Sequence, residues 1–242
     1  MSAFKQMQLT VKDVTKLLNI SEKTIYRWLK QGSLPAYQVG NQYRFNKAEL
    51  LEWATSRRLG VSVDLFRENS EEAEHGKGLA EALSAGGIHY RIEGGDKEAV
   101  FGNVVDLMKL PREVDRRFLL QVLLAREAIA STAVGDGIAI PHVRNPIVLH
   151  VTEPMVSLCF LEKAIDFGSL DGRPVNCLFT LVSPTVKAHL HLLSRIAFAL
   201  RDGVFRNIVL KQGGRNEIFA EIARIEAGLK PSTPLPKEHR SE

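Results

Sequence analysis

The sequence predicts two domains: a small mainly-α unit, then a larger α/β layered domain with a mixed sheet flanked by helices. Three observations predict this. Residues 1–58 hold ten Lys/Arg against four acids, a net +6, which leaves −2 for the rest of a chain whose total is +4. Residues 59–78, "LGVSVDLFRENSEEAEHGKG", are rich in Glu, Ser, Asn and Gly and lose periodicity after Phe66, as an exposed tether does. Beyond them, helical patterns alternate with near-continuous apolar runs, the signature of strands covered on both faces. With 45% hydrophobic and 25% charged residues, the chain has apolar material for two cores.

The first unit is dense with stop and start signals. Thr10 with Asp13 three residues on caps a helix whose Val11, Val14, Leu17 and Leu18 share a face. After the turn "NIS", Ser21 caps a second helix that ends at Gly32. Two helices joined by about three residues have helix-turn-helix spacing. At 100° per residue, Ile25, Trp28 and Leu29 fall together, opposite Lys23, Arg27 and Lys30, with Tyr26 on the flank. A basic, aromatic-edged second helix suits a major groove. "AYQVGNQYRF" then alternates around Gly40-Asn41, a two-residue hairpin turn. Asn46 with Glu49 opens a third helix, "KAELLEWATSRR".

The stretches "LTVKDVTKLL", "SEKTIYRWLKQGSLPAY", "VGNQYRF" and "AELLEW" resemble the winged helix-turn-helix of the excisionase and MerR-like class. The resemblance implies a DNA-binding module at 1–58, acting as a dimer on a repeated half-site. Lys23, Thr24, Tyr26, Arg27, Lys30, Gln42 and Arg44 are the expected DNA contacts.

In the second unit, 79–228, "LAEALSAG", "DKEAVFGNVVDLMKL", "EVDRRFLLQVLLAREAIAS", "TVKAHLHLLSRIAFALRDG" and "RNEIFAEIARIEAG" read as helices. "GIHYRI", "IAIPHV", "MVSLCFLE" and "VNCLFTLVS" read as strands. Cys159 and Cys177 lie in apolar runs and read as small buried hydrophobes. Residues 229–242, Pro-rich and polar, read as a disordered tail. No run of about 18 apolar residues is present and "MSAFKQMQLT" lacks a signal-peptide core, so a cytoplasmic protein without a membrane partner is expected.

His142 follows an apolar strand and a proline in "GDGIAIPHVR". It can be a satisfied strand-end histidine, a metal ligand or a nucleophile. No phosphate-loop or dinucleotide glycine pattern, no H-E-x-x-H and no G-x-S-x-G accompanies it, so nucleotide binding, zinc proteolysis and serine hydrolysis lack support. In "HLHLL", His189 shares a face with Leu193, Ile196 and Leu200, whereas His191 points about 200° away, toward solvent. His75, His89 and His150 have no supporting pattern.

"AREAIASTAVGDGIAIPHVR" with "KAHLHLLSRIAFAL" resembles the enzyme IIA domain of the phosphoenolpyruvate-dependent phosphotransferase system, of the mannitol, fructose and nitrogen-regulatory class. The resemblance implies that His142 takes a phosphoryl group from the carrier HPr or a nitrogen-branch relative. His189 would hydrogen-bond the phosphate, and Arg126 would clamp it. Chemistry agrees: phosphoryl transfer needs in-line positioning and anion stabilisation, which an imidazole and a guanidinium fork provide without a metal or other cofactor. The covalent phosphoryl group is the only non-protein component expected. Ser131 and Thr132 are either short phosphate donors or an ordinary turn, and Arg126 can equally complement a helix C-terminus. Where the family often has glycine after the active histidine, this chain has Val143-Arg144; Arg144 is expected to assist the phosphate or contact the donor. Two functions follow: a DNA-binding regulator with a phosphorylatable sensory domain, or a phosphocarrier handing phosphate from HPr to a IIB partner.

Overall fold

The computed structural model describes residues 8–57, 59, 77–143 and 151–229. Most of the 59–78 tether, nearly all of the 229–242 tail, His75, His150 and Arg144 lie outside the described residues.

Helices α1 (Val11–Leu18) and α2 (Glu22–Lys30) begin where their caps place them. Thr10 Oγ1 accepts from Asp13 N at 3.3 Å, and Asp13 Oδ2 accepts from Thr10 N at 2.8 Å, a reciprocal capping box. Asn19, at φ 51°, ends α1. Ser21 Oγ accepts from Thr24 N. Helix α2 closes at Lys30, two residues before Gly32, whose φ of +62° takes the chain out of the helix. Strands β2 (Tyr37–Val39) and β3 (Gln42–Asn46) form the wing, with Tyr37 opposite Arg44 and Val39 opposite Gln42. Strand β1 (Gln8–Leu9) pairs with the other edge of β3. Two residues are too few to show an alternation, so the sequence does not announce it. Helix α3 (Lys47–Ser56) completes the unit. Val14, Leu18, Ile25, Leu34, Phe45, Leu50, Leu51 and Ala54 form its buried core.

The second unit is a five-stranded mixed sheet in the order β4-β7-β8-β6-β5. These are β4 (Ile88–Ile92), β5 (Ala133–Gly135), β6 (Ile138–Ala139), β7 (Met155–Ile165) and β8 (Val175–Val182). Pairs β4–β7 and β6–β8 are parallel; β7–β8 and β5–β6 are antiparallel. Alternate residues of β7 serve opposite layers. Val156, Leu158 and Phe160 meet α4 (Leu79–Gly86), α7 (Val186–Ala199), α8 (Gly203–Leu210) and α9 (Arg215–Ala227). Met155, Cys159 and Leu161 meet α5 (Lys97–Leu107) and α6 (Arg116–Ile129). A strand buried on both faces is apolar at nearly every position, which is why "MVSLCFL" carries no alternation; its one polar residue, Ser157, is buried and donates to the Gly86 carbonyl oxygen at 3.0 Å. Burial pushes the Cys159 thiol up to about 12, and that of Cys177 well above its ordinary value; both are free. Gly86 sits where a Cβ would lie 2.2 Å from the Val156 carbonyl oxygen, so α4 can approach β7 only without a side chain there.

Two sequence expectations are corrected here. "IAIPHV" is not one strand: β6 stops at Ala139 because Pro141 lacks an N–H, and His142 makes only an isolated bridge to Leu181. The long helix expected from 185 to 203 stops at Ala199. Asp202 then caps a separate α8, its Oδ1 accepting from Val204 N and Phe205 N at 3.0 Å. No helix among the described residues is long and apolar enough to cross a membrane.

Candidate functional site

His142 lies just past β6 and is 3% exposed. Its Nδ1 is 2.7 Å from the Ile140 carbonyl oxygen. A carbonyl can only accept, so Nδ1 carries the proton and donates, and Nε2 faces away from the backbone. His189 projects from the first turn of α7, where Thr185 caps the helix, and is 2% exposed. The two rings stand 5.2 Å apart between centroids. Arg126, in the last turn of α6, is also buried. Its Nη1 donates to the Ala130 carbonyl oxygen at 2.8 Å. One nitrogen thus satisfies the helix end, and the other is directed toward the histidines.

What Nη2 reaches comes from the other unit. It donates to Glu52 Oε2 at 2.7 Å. The second carboxylate oxygen, Glu52 Oε1, lies 3.1 Å from His142 Nε2. That contact has an ion-pair distance without the alignment of a full hydrogen bond, and it is attractive when the ring carries a second proton on Nε2. Burial works against charge on Glu52, but the close contact of the His142 ring, and then the charge and hydrogen bond of Arg126, outweigh it. Its carboxyl is held at about 2. Glu52 is therefore an anion bridging the imidazole and the guanidinium. Its carboxylate and one nitrogen of each histidine lie within 4.8 Å of one another, a donor set a metal could use. Here Arg126 supplies the cation.

Glu52 is absent from the sequence expectations. The available signal was weak: Leu50, Leu51, Trp53 and Ala54 leave α3 without a broad polar face, so the helix must pack on more than one side. Leu190 of α7 packs against the first unit's core, beside this contact.

Ser131 and Thr132 have another task. Ser131 Oγ donates to the Phe167 carbonyl oxygen at 2.6 Å, and Thr132 Oγ1 donates to Glu127 Oε2 at 2.6 Å. Buried Glu127 also pairs with Lys97 at 3.2 Å. The two hydroxyls fix the turn between α6 and β5, the second of the two readings open for them. His191 is corrected. It is partly covered, not solvent-facing; burial and then Arg195 lower its pKa, and its Nε2 has no hydrogen-bond partner among the described residues.

His189 is neutral. Burial and then the charge of His142, with a smaller share from Arg126, lower its pKa to about 3 against the opposing pull of Glu52. A histidine whose folded pKa is depressed contributes stability that is whole above its ordinary 6.5 and is lost as pH falls toward 3. The melting temperature of the full chain is therefore expected to fall from pH 7 to pH 5. His189→Gln should flatten that fall in thermal melts across this range; an unchanged slope would remove His189 as its source.

On the first unit, Lys23, Arg27, Lys30 and Gln42 are exposed, and Tyr26 is 45% exposed with its ring against Tyr43 of the wing. Thr24 Oγ1 is 3.1 Å from Ser21 Oγ within the cap. Arg44 is half-buried and donates to the Tyr43 carbonyl oxygen and to Gln42 Oε1. Helix α2 thus keeps its basic face in solvent while α3 is engaged by the second unit.

Comparison with known proteins agrees with both halves. Residues 81–225 match the family described as phosphoenolpyruvate-dependent sugar phosphotransferase system, EIIA 2. Residues 9–58 match a helix-turn-helix domain. A nitrogen regulatory protein of Pseudomonas aeruginosa is 36% identical over 154 residues, covering 62% of this chain and 97% of that protein. The fructose-specific EIIABC component of Bacillus subtilis is 29% identical over 144 residues, covering 58% of this chain but 22% of that protein. Among solved structures, the nitrogen regulatory protein IIA-Ntr of Neisseria meningitidis superposes with a TM-score of 0.51 at 26% identity, over 60% of this chain and 98% of that one. The chain belongs to the EIIA type 2 family of the phosphoenolpyruvate-dependent sugar phosphotransferase system, with a helix-turn-helix domain fused ahead of the EIIA domain.

Proposed function

We propose that this protein is a DNA-binding regulator whose EIIA domain accepts a phosphoryl group on His142 Nε2 from an HPr-type carrier. One observation carries this reading: an oxyanion, the Glu52 carboxylate, already sits between His142 Nε2 and the Arg126 fork. A carboxylate is a fair surrogate for one face of a phosphoryl group, so the pocket has the charge and shape that phosphate needs. With Nδ1 tied to Ile140, the attacking lone pair belongs to Nε2. Bond formation to phosphorus at Nε2 is matched by cleavage of the donor's P–N bond, whose electron pair stays on the donor imidazole. Arg126 neutralises charge on the transferred oxygens, and neutral His189 donates a hydrogen bond from one ring nitrogen. The helix-turn-helix match and the exposed basic face of α2 support DNA as the partner of the first unit.

The test is incubation of the full chain with phosphoenolpyruvate, enzyme I and HPr, followed by intact-mass measurement and peptide mapping. One phosphoryl group on His142, absent in His142→Ala, is expected. Label retained by that variant would overturn the assignment.

A further inference from the structure

The docking of the two units runs through the same atoms that phosphate would need. We infer that Glu52 is a built-in latch: it occupies the phosphoryl position of the EIIA domain, and phosphorylation of His142 expels it and releases the helix-turn-helix unit. This inference rests on His142 being the phosphoacceptor and adds how that event is communicated.

Three observations carry it. First, the pocket holds one anion, not two. Glu52 Oε1 is 3.1 Å from Nε2, so a phosphorus bonded to Nε2 puts its oxygens where that carboxylate lies. A phosphoryl group brings about two negative charges into the same buried space, against a carboxylate that stays ionised. Arg126 Nη2 can face either anion. Its Nη1 is already committed to Ala130.

Second, the latch belongs to the DNA-binding unit and the pocket to the other. Side chains of Glu52 and Arg126 are 11% and 8% exposed, although they lie 74 positions apart in the chain. A buried ion pair between two units is costly to break from one side only, because the other charge is left unpaired. Phosphate removes this penalty by giving Arg126 a new partner. The exchange is therefore near balance in a way that simple undocking is not.

Third, the apolar part of the contact is loosely packed. Leu51 and Thr55 of α3, with Leu59 at the start of the tether, face Val134, Ile138 and Phe198 of the second unit across a cavity of about 210 Å³. A seam with that much unfilled space gains less from close packing, so the polar latch carries a large share of the docking.

The latch also guards the nucleophile. In the docked form the Glu52 carboxylate covers Nε2 at 3.1 Å, so a donor phosphorus cannot reach the attacking lone pair in line. When Glu52 swings out, the lone pair is open to attack phosphorus. Uptake of phosphate is thus limited by the fraction of molecules already unlatched.

The experiment uses the full chain with spin labels introduced through Asn41→Cys on the wing turn and Lys211→Cys after α8, both exposed; Cys159 and Cys177 are buried. Pulsed electron resonance gives the distance between the units, and intact mass gives phosphate per chain. Unphosphorylated protein is expected to show one narrow distance, and stoichiometric phosphorylation to broaden it. Glu52→Ala and Glu52→Gln should be broad without phosphate and take up label about tenfold faster than the parent. A narrow distance that persists in fully phosphorylated protein overturns the latch while leaving the acceptor assignment standing. Absence of label on His142 in the parent and both variants overturns the acceptor assignment instead.

Discussion

Arg126→Ala is expected to slow phosphoryl uptake at His142 about 10²–10³-fold, measured by time-resolved intact mass with a fixed supply of phosphorylated HPr. The magnitude follows from position. Arg126 is buried and its Nη2 already holds an oxyanion at 2.7 Å, so it acts in a site largely shielded from water. Arg126→Lys should recover little, because a single ammonium cannot serve both the Ala130 carbonyl and the anion in the geometry of a planar fork. The variant has a second readout. Glu52 loses its cation, so the units should part without phosphate, while a chain merely misfolded would melt early. Uptake at the parent rate with normal melting would show that the guanidinium takes no part in the transfer.

Replacing Lys23, Arg27 and Lys30 together by Ala should weaken binding to duplex DNA about a hundredfold at low salt. It should also reduce the slope of log affinity against log salt by up to about 3. All three side chains project from α2 into solvent, so their removal leaves the core of Val14, Ile25 and Leu50 intact and melting should not change. Titration of a labelled duplex between about 50 and 200 mM salt reads the slope. An unaltered slope would take α2 out of the interface.

Much of this architecture was legible because its causes are local. Caps announce themselves within four residues, as Thr10 with Asp13 and Ser21 with Thr24 do. The two central strands are written as near-continuous apolar runs because both faces are covered. His142, His189 and Arg126 are brought to one place by the segment just past β6, the first turn of α7 and the last turn of α6. What escaped depends on distance along the chain or on brevity. Glu52 meets Arg126 only because two units dock, and no window of sequence contains both. Strand β1 has two residues and β5 three, below the length at which alternation can be read. Ser131 and Thr132 looked like donors because of their chemistry; where the hydroxyls point depends on Phe167 and Glu127, which no short motif reveals.

The outward basic face of α2 has a last consequence. The second unit grips α3 and leaves Lys23, Arg27 and Lys30 of α2 exposed, so the clamped form keeps its basic face in solvent. A clamped reader would meet the duplex with its orientation already set by the EIIA body. An unclamped one would have to surrender rotational freedom as it lands. The two forms would then differ in how they tolerate the spacing and bend of a site, more than in whether they bind at all.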